Sequence, residues 1–236
     1  MESNKEIIIN AWKLYHNELN YDKMNEIQKG YGQFHISESE FLYTLVRHIK
    51  PSKIIEVSPD RGFSSTIIME ALKVNNLPSQ LLSFDIHDKS LKHDKSGIIS
   101  RKLIMGDAKQ TITDDMVREA DFVLVDSDHS YDFGKWYSKK LQLLRPGIFI
   151  MVHDWPMYAS DGASDNIIAE QAQPAIFQKL WNLEVLAVKQ HFIGKGFADP
   201  VLNVTDFLKE SGKPYYHTSE GTPYRALSPS QILIKK

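Results

Sequence analysis

The chain has 236 residues with 28 Lys and Arg, 30 Asp and Glu, no cysteine and a formal net charge of −2. This charge gives no basic footprint for a nucleic-acid backbone, and the absence of cysteine excludes disulfides, thiolate metal sites and cysteine nucleophiles. The longest apolar runs, such as Ile148–Val152, are far shorter than the roughly 20 residues that span a bilayer, and no signal-peptide pattern is present, so we expect a cytoplasmic protein without a membrane partner.

The first fifty residues predict helices. Apolar and aromatic residues recur at helical spacing from Ile8 to Tyr15, and an apolar stripe runs through Phe41–Ile49. The second helix should end at Lys50, because the residue before Pro51 is disfavoured in the helical conformation. A helical cap therefore precedes the first strand.

From residue 53 to residue 152, short β-rich runs alternate with helical segments. This alternation predicts βαβ units and a mostly parallel sheet, and hence a doubly wound α/β fold. The predicted strands are Lys53–Val57, Leu81–Ile86, Lys102–Met105, Phe122–Asp126 and Ile148–Val152, with helices at Ser65–Val74 and Tyr131–Leu144 among the connections.

Beyond Asp154 the pattern is weaker. It predicts a helix at Pro174–Leu180, a strand at Leu183–Val188 and a last strand at Gln231–Lys235. About forty residues between Lys189 and Ser230 are too long for an ordinary connection, which favours a lid or a substrate loop.

Each of the five predicted strands delivers an acidic residue at or just after its carboxyl end. In open parallel sheets these ends meet at one edge, where ligands bind near the point at which the strand order reverses. A single aspartate at such a place is usually a turn former or a helix cap, but five at one edge indicate a binding site. The acids are Glu56, Asp85, Asp107, Asp126 and Asp154.

The order of these motifs resembles the class I S-adenosylmethionine-dependent methyltransferases. The features that match are Glu56 with the loop to Gly62, Asp85, the triplet Gly106-Asp107-Ala108 and the run Phe122–Tyr131. The later segments Leu144–Gly147 and Val152-His153-Asp154 are similar to a branch of small O-methyltransferases that includes macrolide-sugar methyltransferases and cephalosporin-hydroxylase-like proteins.

The resemblance implies a single methyltransferase domain over residues 1–236 with a seven-stranded, Rossmann-like sheet. Residues 1–50 would form the helical cap, 51–155 the cofactor-binding core, and 156–236 the remaining sheet and a substrate lid. In the family, the loop after the first strand turns beneath the methionine part of the cofactor, which implies cofactor contacts for Glu56, Ser58 and Gly62. Ser58 and Asp60 stand where the family commonly has glycine.

Further cofactor contacts follow from the resemblance. Asp85 would accept hydrogen bonds from both ribose hydroxyls, since one carboxylate can accept two at once. Asp107 would accept from the adenine amino group, with the Ala108 amide available to a ring nitrogen. The alternative roles are a turn residue for Asp85 and a helix cap for Asp107.

A divalent metal and a general base are predicted at the other end of the site. Asp126 and Asp154 follow neighbouring predicted strands, and two close carboxylates repel each other unless a proton or a cation lies between them. Mg²⁺ or another divalent cation would suit the pair, with His153 as a further ligand. His129 has a suitable imidazole to take a proton from a substrate hydroxyl, with Asp126 as its catalytic partner.

The resulting prediction is an S-adenosylmethionine-dependent O-methyltransferase (EC 2.1.1) that acts on a small molecule or a sugar. One alternative is a methyltransferase-like module that binds but does not catalyse. The other is a nicotinamide-dependent oxidoreductase, which would need Gly-x-Gly-x-x-Gly where this chain has Ser58 and Asp60.

Overall fold

The computed structural model describes residues 4–19, 36–87, 99–153, 186–188, 190, 202–203, 207 and 231–236. Among these residues, two α-helices precede the first strand, and further helices lie between the parallel strands. The α-helices are α1 (Asn4–Tyr15), α2 (Ile36–Ile49), α3 (Phe63–Asn75), α4 (Ala108–Thr111), α5 (Asp114–Glu119) and α6 (Tyr131–Lys140), with 3-10 turns at His16–Glu18 and Leu141–Leu143.

The strands form one sheet in the order β3-β2-β1-β4-β5-β7-β6. The first five strands along the chain are parallel, β7 is antiparallel to β5, and the two-residue strand β6 is antiparallel to β7. The strands are β1 (Lys53–Val57), β2 (Ser79–Asp85), β3 (Ile99–Met105), β4 (Phe122–Val125), β5 (Phe149–Val152), β6 (Leu202–Asn203) and β7 (Gln231–Ile234).

The prediction of a mostly parallel α/β sheet is confirmed. The strand order reverses between β1 and β4, so the carboxyl ends of these two strands flank the switch point at which such sheets bind ligands. One apolar core packs α1, α2 and α3 against one face of the sheet, and a second packs α5 and α6 against the other. Both faces of the parallel strands are therefore covered, as their continuous apolar sequences require.

Local sequence explains where several elements begin and end. Helix α2 ends at Ile49, just before Lys50 and Pro51. Helix α3 ends at Asn75, and the next residue, Asn76, adopts φ 51° and donates its N–H to the carbonyls of Leu72 and Lys73. These two boundaries bring the chain back to the amino end of the sheet for β1 and β2.

Most predicted strands and helices differ from the observed ones by one to three residues at an end, and two predicted elements differ by more. Residues 186–188 are helical, so the prediction of a strand at Leu183–Val188 is wrong for its last three residues. A short apolar run of this kind does not distinguish a buried strand from a buried helical segment. The predicted helix Tyr131–Leu144 ends as α6 at Lys140 and continues as the 3-10 turn.

The predicted helix Pro174–Leu180 and nearly all of the predicted lid lie outside the described residues. The described helices include none that is long and apolar enough to cross a membrane.

Candidate functional site

The loop after β1 is built from left-handed backbone at alternate positions. The φ angles are 60° at Ser58, 49° at Asp60 and 85° at Gly62. A residue other than glycine pays roughly 1–2 kcal/mol for this conformation because its Cβ approaches the carbonyl oxygen. The backbone thus has the shape that glycine favours at all three positions, although Ser58 and Asp60 carry side chains.

Hydrogen bonds from this loop fix it to the neighbouring strands. The Ser58 N–H donates to the Phe84 carbonyl at 2.7 Å, and the Asp60 N–H donates to Oδ2 of Asp85 at 3.2 Å. The Ser58 hydroxyl donates to Oγ of Ser127, in the loop after β4, at 2.7 Å. The loop therefore joins the carboxyl ends of β2 and β4 across the end of β1.

Glu56 lies beneath this edge rather than on it. Its side chain is fully buried and accepts hydrogen bonds from the hydroxyls of Ser64 at 2.7 Å, Ser65 at 2.6 Å and Ser83 at 2.6 Å. A carboxylate without exposed surface cannot reach a ligand, so the predicted direct contact of Glu56 with a cofactor does not fit this geometry. Glu56 instead joins β1, the start of α3 and β2, and so supports the loop from below.

Asp85 ends β2 and is held in place by two backbone amides. Its Oδ2 accepts from Asp60 and its Oδ1 accepts from the His87 N–H at 2.9 Å. The next residue, Ile86, is 64% exposed, and Met105, the register partner of Asp85 on β3, is 44% exposed. A carboxylate beside two exposed apolar side chains suits a ligand that combines hydroxyl groups with a flat apolar ring.

Sequence reasoning missed Ile86 and Met105. The signal that could have identified them is an apolar residue at the point where a buried strand has ended and solvent exposure begins. Only the parallel register of β2 and β3 brings the two positions to the same edge.

Asp107 begins the short helix α4. Its Oδ1 accepts from the Lys109 N–H at 2.9 Å, so Asp107 caps α4, which was the alternative to a role in cofactor binding. In the described part of the chain Oδ2 of this exposed residue has no hydrogen bond, which leaves an acceptor at the edge. The preceding Gly106 has φ 129°, and a Cβ there would lie 3.0 Å from Cγ2 of Thr111, so glycine is required. Ala108, the first residue of α4, is buried.

A second group of ionisable residues lies where β4 and β5 end. Nδ1 of His153 is 3.1 Å from Oδ1 of Asp126, and Nε2 of His153 is 3.0 Å from Oε2 of Glu38. The side chains of Glu38 and His153 are 0% and 2% exposed, whereas that of Asp126 is 29% exposed. Asp126 is thus the member of this group that a ligand can reach.

Glu38 was not predicted as a site residue. It belongs to the acidic start of α2, a composition that ordinarily indicates only a helix beginning. It is 115 residues from His153 along the chain, and no local pattern connects the two.

His153 does not fit the predicted role of metal ligand in this arrangement. A ring nitrogen binds a metal through its lone pair, and both ring nitrogens of His153 face carboxylates instead. Within the described ranges, no group of three His, Cys, Asp or Glu residues is arranged to hold a metal ion. Asp154, the other predicted ligand, lies outside the described residues.

His129 lies in the loop between β4 and α6 and is half-buried. The next turn is fixed because Asp128 accepts from the Ser130 N–H at 3.1 Å and from its hydroxyl at 2.6 Å. Ser130 in turn accepts from the Phe133 N–H and caps α6. His129 and Asp126 therefore belong to one short, well-anchored loop at the carboxyl edge.

A family model described as a methyltransferase domain matches residues 56–155. No curated protein has a sequence that matches the chain. Among solved structures, the chain is similar to an SAH-bound methyltransferase from Podospora anserina, with 14% identity, 98% of this chain and 88% of that chain covered, and a TM-score of 0.50.

Two further solved structures have the same fold. A candidate O-methyltransferase from Klebsiella pneumoniae has 13% identity, covers 100% of this chain and 91% of its own, and gives a TM-score of 0.51. A candidate caffeoyl-CoA O-methyltransferase from Staphylococcus aureus has 11% identity, covers 99% of both chains and gives a TM-score of 0.54. Residues 56–155 thus match a methyltransferase domain, and the chain shares the fold of these solved methyltransferase structures.

Proposed function

We propose that the protein transfers the methyl group of S-adenosylmethionine to a hydroxyl group of a small molecule or a sugar. The observation that carries this proposal is the backbone of the β1 loop. Three of its residues are left-handed, although two of them, Ser58 and Asp60, are not glycine. A strained backbone that the surrounding structure holds in place commonly belongs to a binding site. The Asp60 amide of this loop also holds Asp85, so the loop and the carboxylate form one unit.

The donor would lie along the edge formed by the ends of β1, β2 and β3. Asp85 would accept hydrogen bonds from the ribose hydroxyls, because each of its oxygens accepts only one backbone bond in the described structure. Ile86 and Met105 would contact the faces of the adenine ring, and Oδ2 of Asp107 would accept from its amino group. The amide of Ala108 would donate to a ring nitrogen.

The acceptor would lie at the ends of β4 and β5. S-adenosylmethionine supplies an electrophilic methyl carbon, and the acceptor oxygen forms its new bond to carbon as the carbon–sulfur bond breaks, leaving both electrons on sulfur. The protein must align the hydroxyl and take its proton. Asp126 would accept the hydrogen bond of the hydroxyl and orient it, and His129 would take the proton.

A divalent cation has no step in this proposal, since the ring nitrogens of His153 are turned to carboxylates. The metal prediction that involves Asp154 is tested by adding EDTA and then Mg²⁺ or Mn²⁺ to an active preparation. Loss of turnover in EDTA and recovery with either ion would return a metal to the mechanism.

Titration calorimetry with S-adenosylmethionine and S-adenosylhomocysteine tests the proposed function, with NAD as the matched control ligand. We expect both adenosyl ligands to bind and NAD not to bind. S-adenosylhomocysteine release with catechol and with simple sugars as probe acceptors then separates an enzyme from a binding module. Absence of donor binding would contradict the proposal, and binding without turnover of any acceptor would favour the non-catalytic alternative.

A further inference from the structure

The imidazole of His153 connects a helix at one end of the chain to the edge of the sheet. On one side it meets Oδ1 of Asp126, which follows β4, and on the other it meets Oε2 of Glu38, in the first turn of α2. His153 is also fixed through its backbone, whose N–H donates to the Val125 carbonyl at 2.9 Å. These contacts leave the ring one orientation between the two carboxylates.

The chemistry of the three groups determines how many protons they share. An ionised carboxylate only accepts hydrogen bonds, whereas a neutral imidazole has one N–H and one lone pair. If His153 were neutral between two ionised carboxylates, one contact would place two lone pairs against each other in a buried site. Both contacts are hydrogen bonds when each ring nitrogen carries a proton, and the positive ring then lies between the two carboxylates and reduces the repulsion between them.

We propose that Glu38 is a positioning residue that fixes His153, and that His153 thereby fixes the carboxylate of Asp126. This proposal rests on the proposed function, in which Asp126 orients the hydroxyl of the acceptor. Asp126 is 29% exposed, and its described side-chain hydrogen bond is the one to His153. Without that bond, the carboxylate could rotate away from the acceptor, and misplacement by about 1 Å can cost about 10²-fold in rate.

We call the contacts Glu38–His153–Asp126 the relay. The relay connects the proposed acceptor site to the helical segment that precedes the sheet. Glu38 is fully buried and contacts His153 at 3.0 Å, so α2 is tied to the carboxyl ends of β4 and β5. A charge left alone at this depth would be costly, so loss of either partner should be felt by the other.

Nuclear magnetic resonance of the ligand-free protein labelled with ¹⁵N-histidine tests the relay directly. His153 should show two ring N–H signals that exchange slowly with solvent, and both should be absent in His153→Gln. In Glu38→Leu the Nδ1–H signal that faces Asp126 should exchange about tenfold faster or more, although Asp126 itself is unchanged. Glu38→Gln, which can still bond to the ring, should keep that signal.

Glu18→Gln is the matched control, because Glu18 ties the N-terminal segment to α2 through Arg47 at 2.7 Å but does not touch His153. This variant should leave both ring signals unchanged. If Glu38→Leu fails to fold, Asp126→Ala is the alternative variant, because it removes the more exposed of the two carboxylates. This variant should lose the slowly exchanging Nδ1–H signal and keep the Nε2–H signal. A wild-type spectrum with one slow ring signal or none would overturn the relay.

Calorimetry with S-adenosylhomocysteine on the same samples separates the two proposals. Donor binding without the paired ring signals would contradict the relay and leave the proposed function standing. The paired signals without donor binding would contradict the proposed function and leave the geometry of the relay standing.

Discussion

An aspartate lies at each end of β4, and the two differ in how many hydrogen bonds their carboxylates accept. Asp121, just before the strand, accepts from the Ser52 N–H at 2.9 Å, the Ser52 hydroxyl at 2.6 Å and the Lys53 N–H at 3.0 Å. A fourth bond comes from the Arg145 guanidinium at 2.5 Å. Asp126, just after the strand, has its described side-chain hydrogen bond to His153.

This comparison separates a structural carboxylate from one that is available to a ligand. At the amino edge, every bond to Asp121 joins neighbouring turns, and together they use most of its capacity to accept. At the carboxyl edge, Asp126 retains acceptor positions that no described bond uses, although its side chain, 29% exposed, is only slightly more exposed than that of Asp121 at 24%. The two edges therefore differ in how many hydrogen bonds their carboxylates can still accept, and only the carboxyl edge has the free acceptor positions that the proposed function needs.

The largest expected effect is on turnover at the carboxyl edge. His129→Ala and Asp126→Ala should each depress turnover by roughly 10²–10⁴-fold, because one removes the proposed proton acceptor and the other the group that orients the hydroxyl. Donor affinity, measured by calorimetry, should stay within about twofold in His129→Ala. Wild-type turnover in His129→Ala would show that this residue is not the base.

Asp85→Ala should weaken donor binding by about 1.5–3 kcal/mol, because it removes a carboxylate that would accept two ribose hydroxyls. Titration with S-adenosylhomocysteine measures the loss. Asp115→Ala is a suitable control, since Asp115 is an exposed carboxylate on α5 whose described partner is Arg118. Unchanged affinity in Asp85→Ala would reject the ribose assignment.

Asp121→Ala should lower the free energy of unfolding by about 1–2 kcal/mol and leave donor affinity unchanged, because Asp121 joins turns far from the proposed site. Denaturant unfolding and calorimetry measure the two quantities. A loss of donor affinity without a loss of stability would contradict the division between the two edges.

The stabilisation from Asp121 should depend on pH. Burial raises the pKa of Asp121, but the hydrogen bonds from Ser52, Lys53 and Arg145 outweigh that effect and hold the pKa below its ordinary value. The contribution is therefore present above the unfolded pKa of about 3.9 and is lost as the pH falls through the folded pKa. The stability difference between wild type and Asp121→Ala should shrink in that acidic range, and a difference that grew on acidification would contradict this sign.

The smallest effect is expected at the β1 loop. Asp60→Gly should strengthen donor binding by about 0.2–1 kcal/mol, because it removes a negative charge from the loop proposed to lie beneath the carboxylate of the donor. It also relieves a left-handed non-glycine residue. Ser58→Gly relieves a left-handed residue without a change of charge but also removes the hydroxyl that donates to Ser127. A gain in Ser58→Gly as large as in Asp60→Gly would therefore exclude repulsion as the main cause.

The parallel core of the fold was predictable from the sequence. Strand β1 was predicted with the bounds that the structure shows, because Lys53–Val57 is a buried apolar run between clear turn signals. The segment at residues 186–188 was not, because its apolar residues suit either a strand or a helix and only the surrounding packing decides.

The sequence by itself determined that acidic residues would meet at one edge, since parallel strands end together whatever their order. It also determined the family resemblance, which the match to residues 56–155 confirms. Only the tertiary structure decided what surrounds each of these residues: Glu56 is enclosed by three serines, Asp85 lies beside Ile86 and Met105, and His153 is paired with Glu38 from 115 positions away. Local patterns report strand ends and turns, whereas burial and hydrogen-bond capacity depend on contacts between segments distant in sequence, so the roles of these residues could be assigned only in the folded chain.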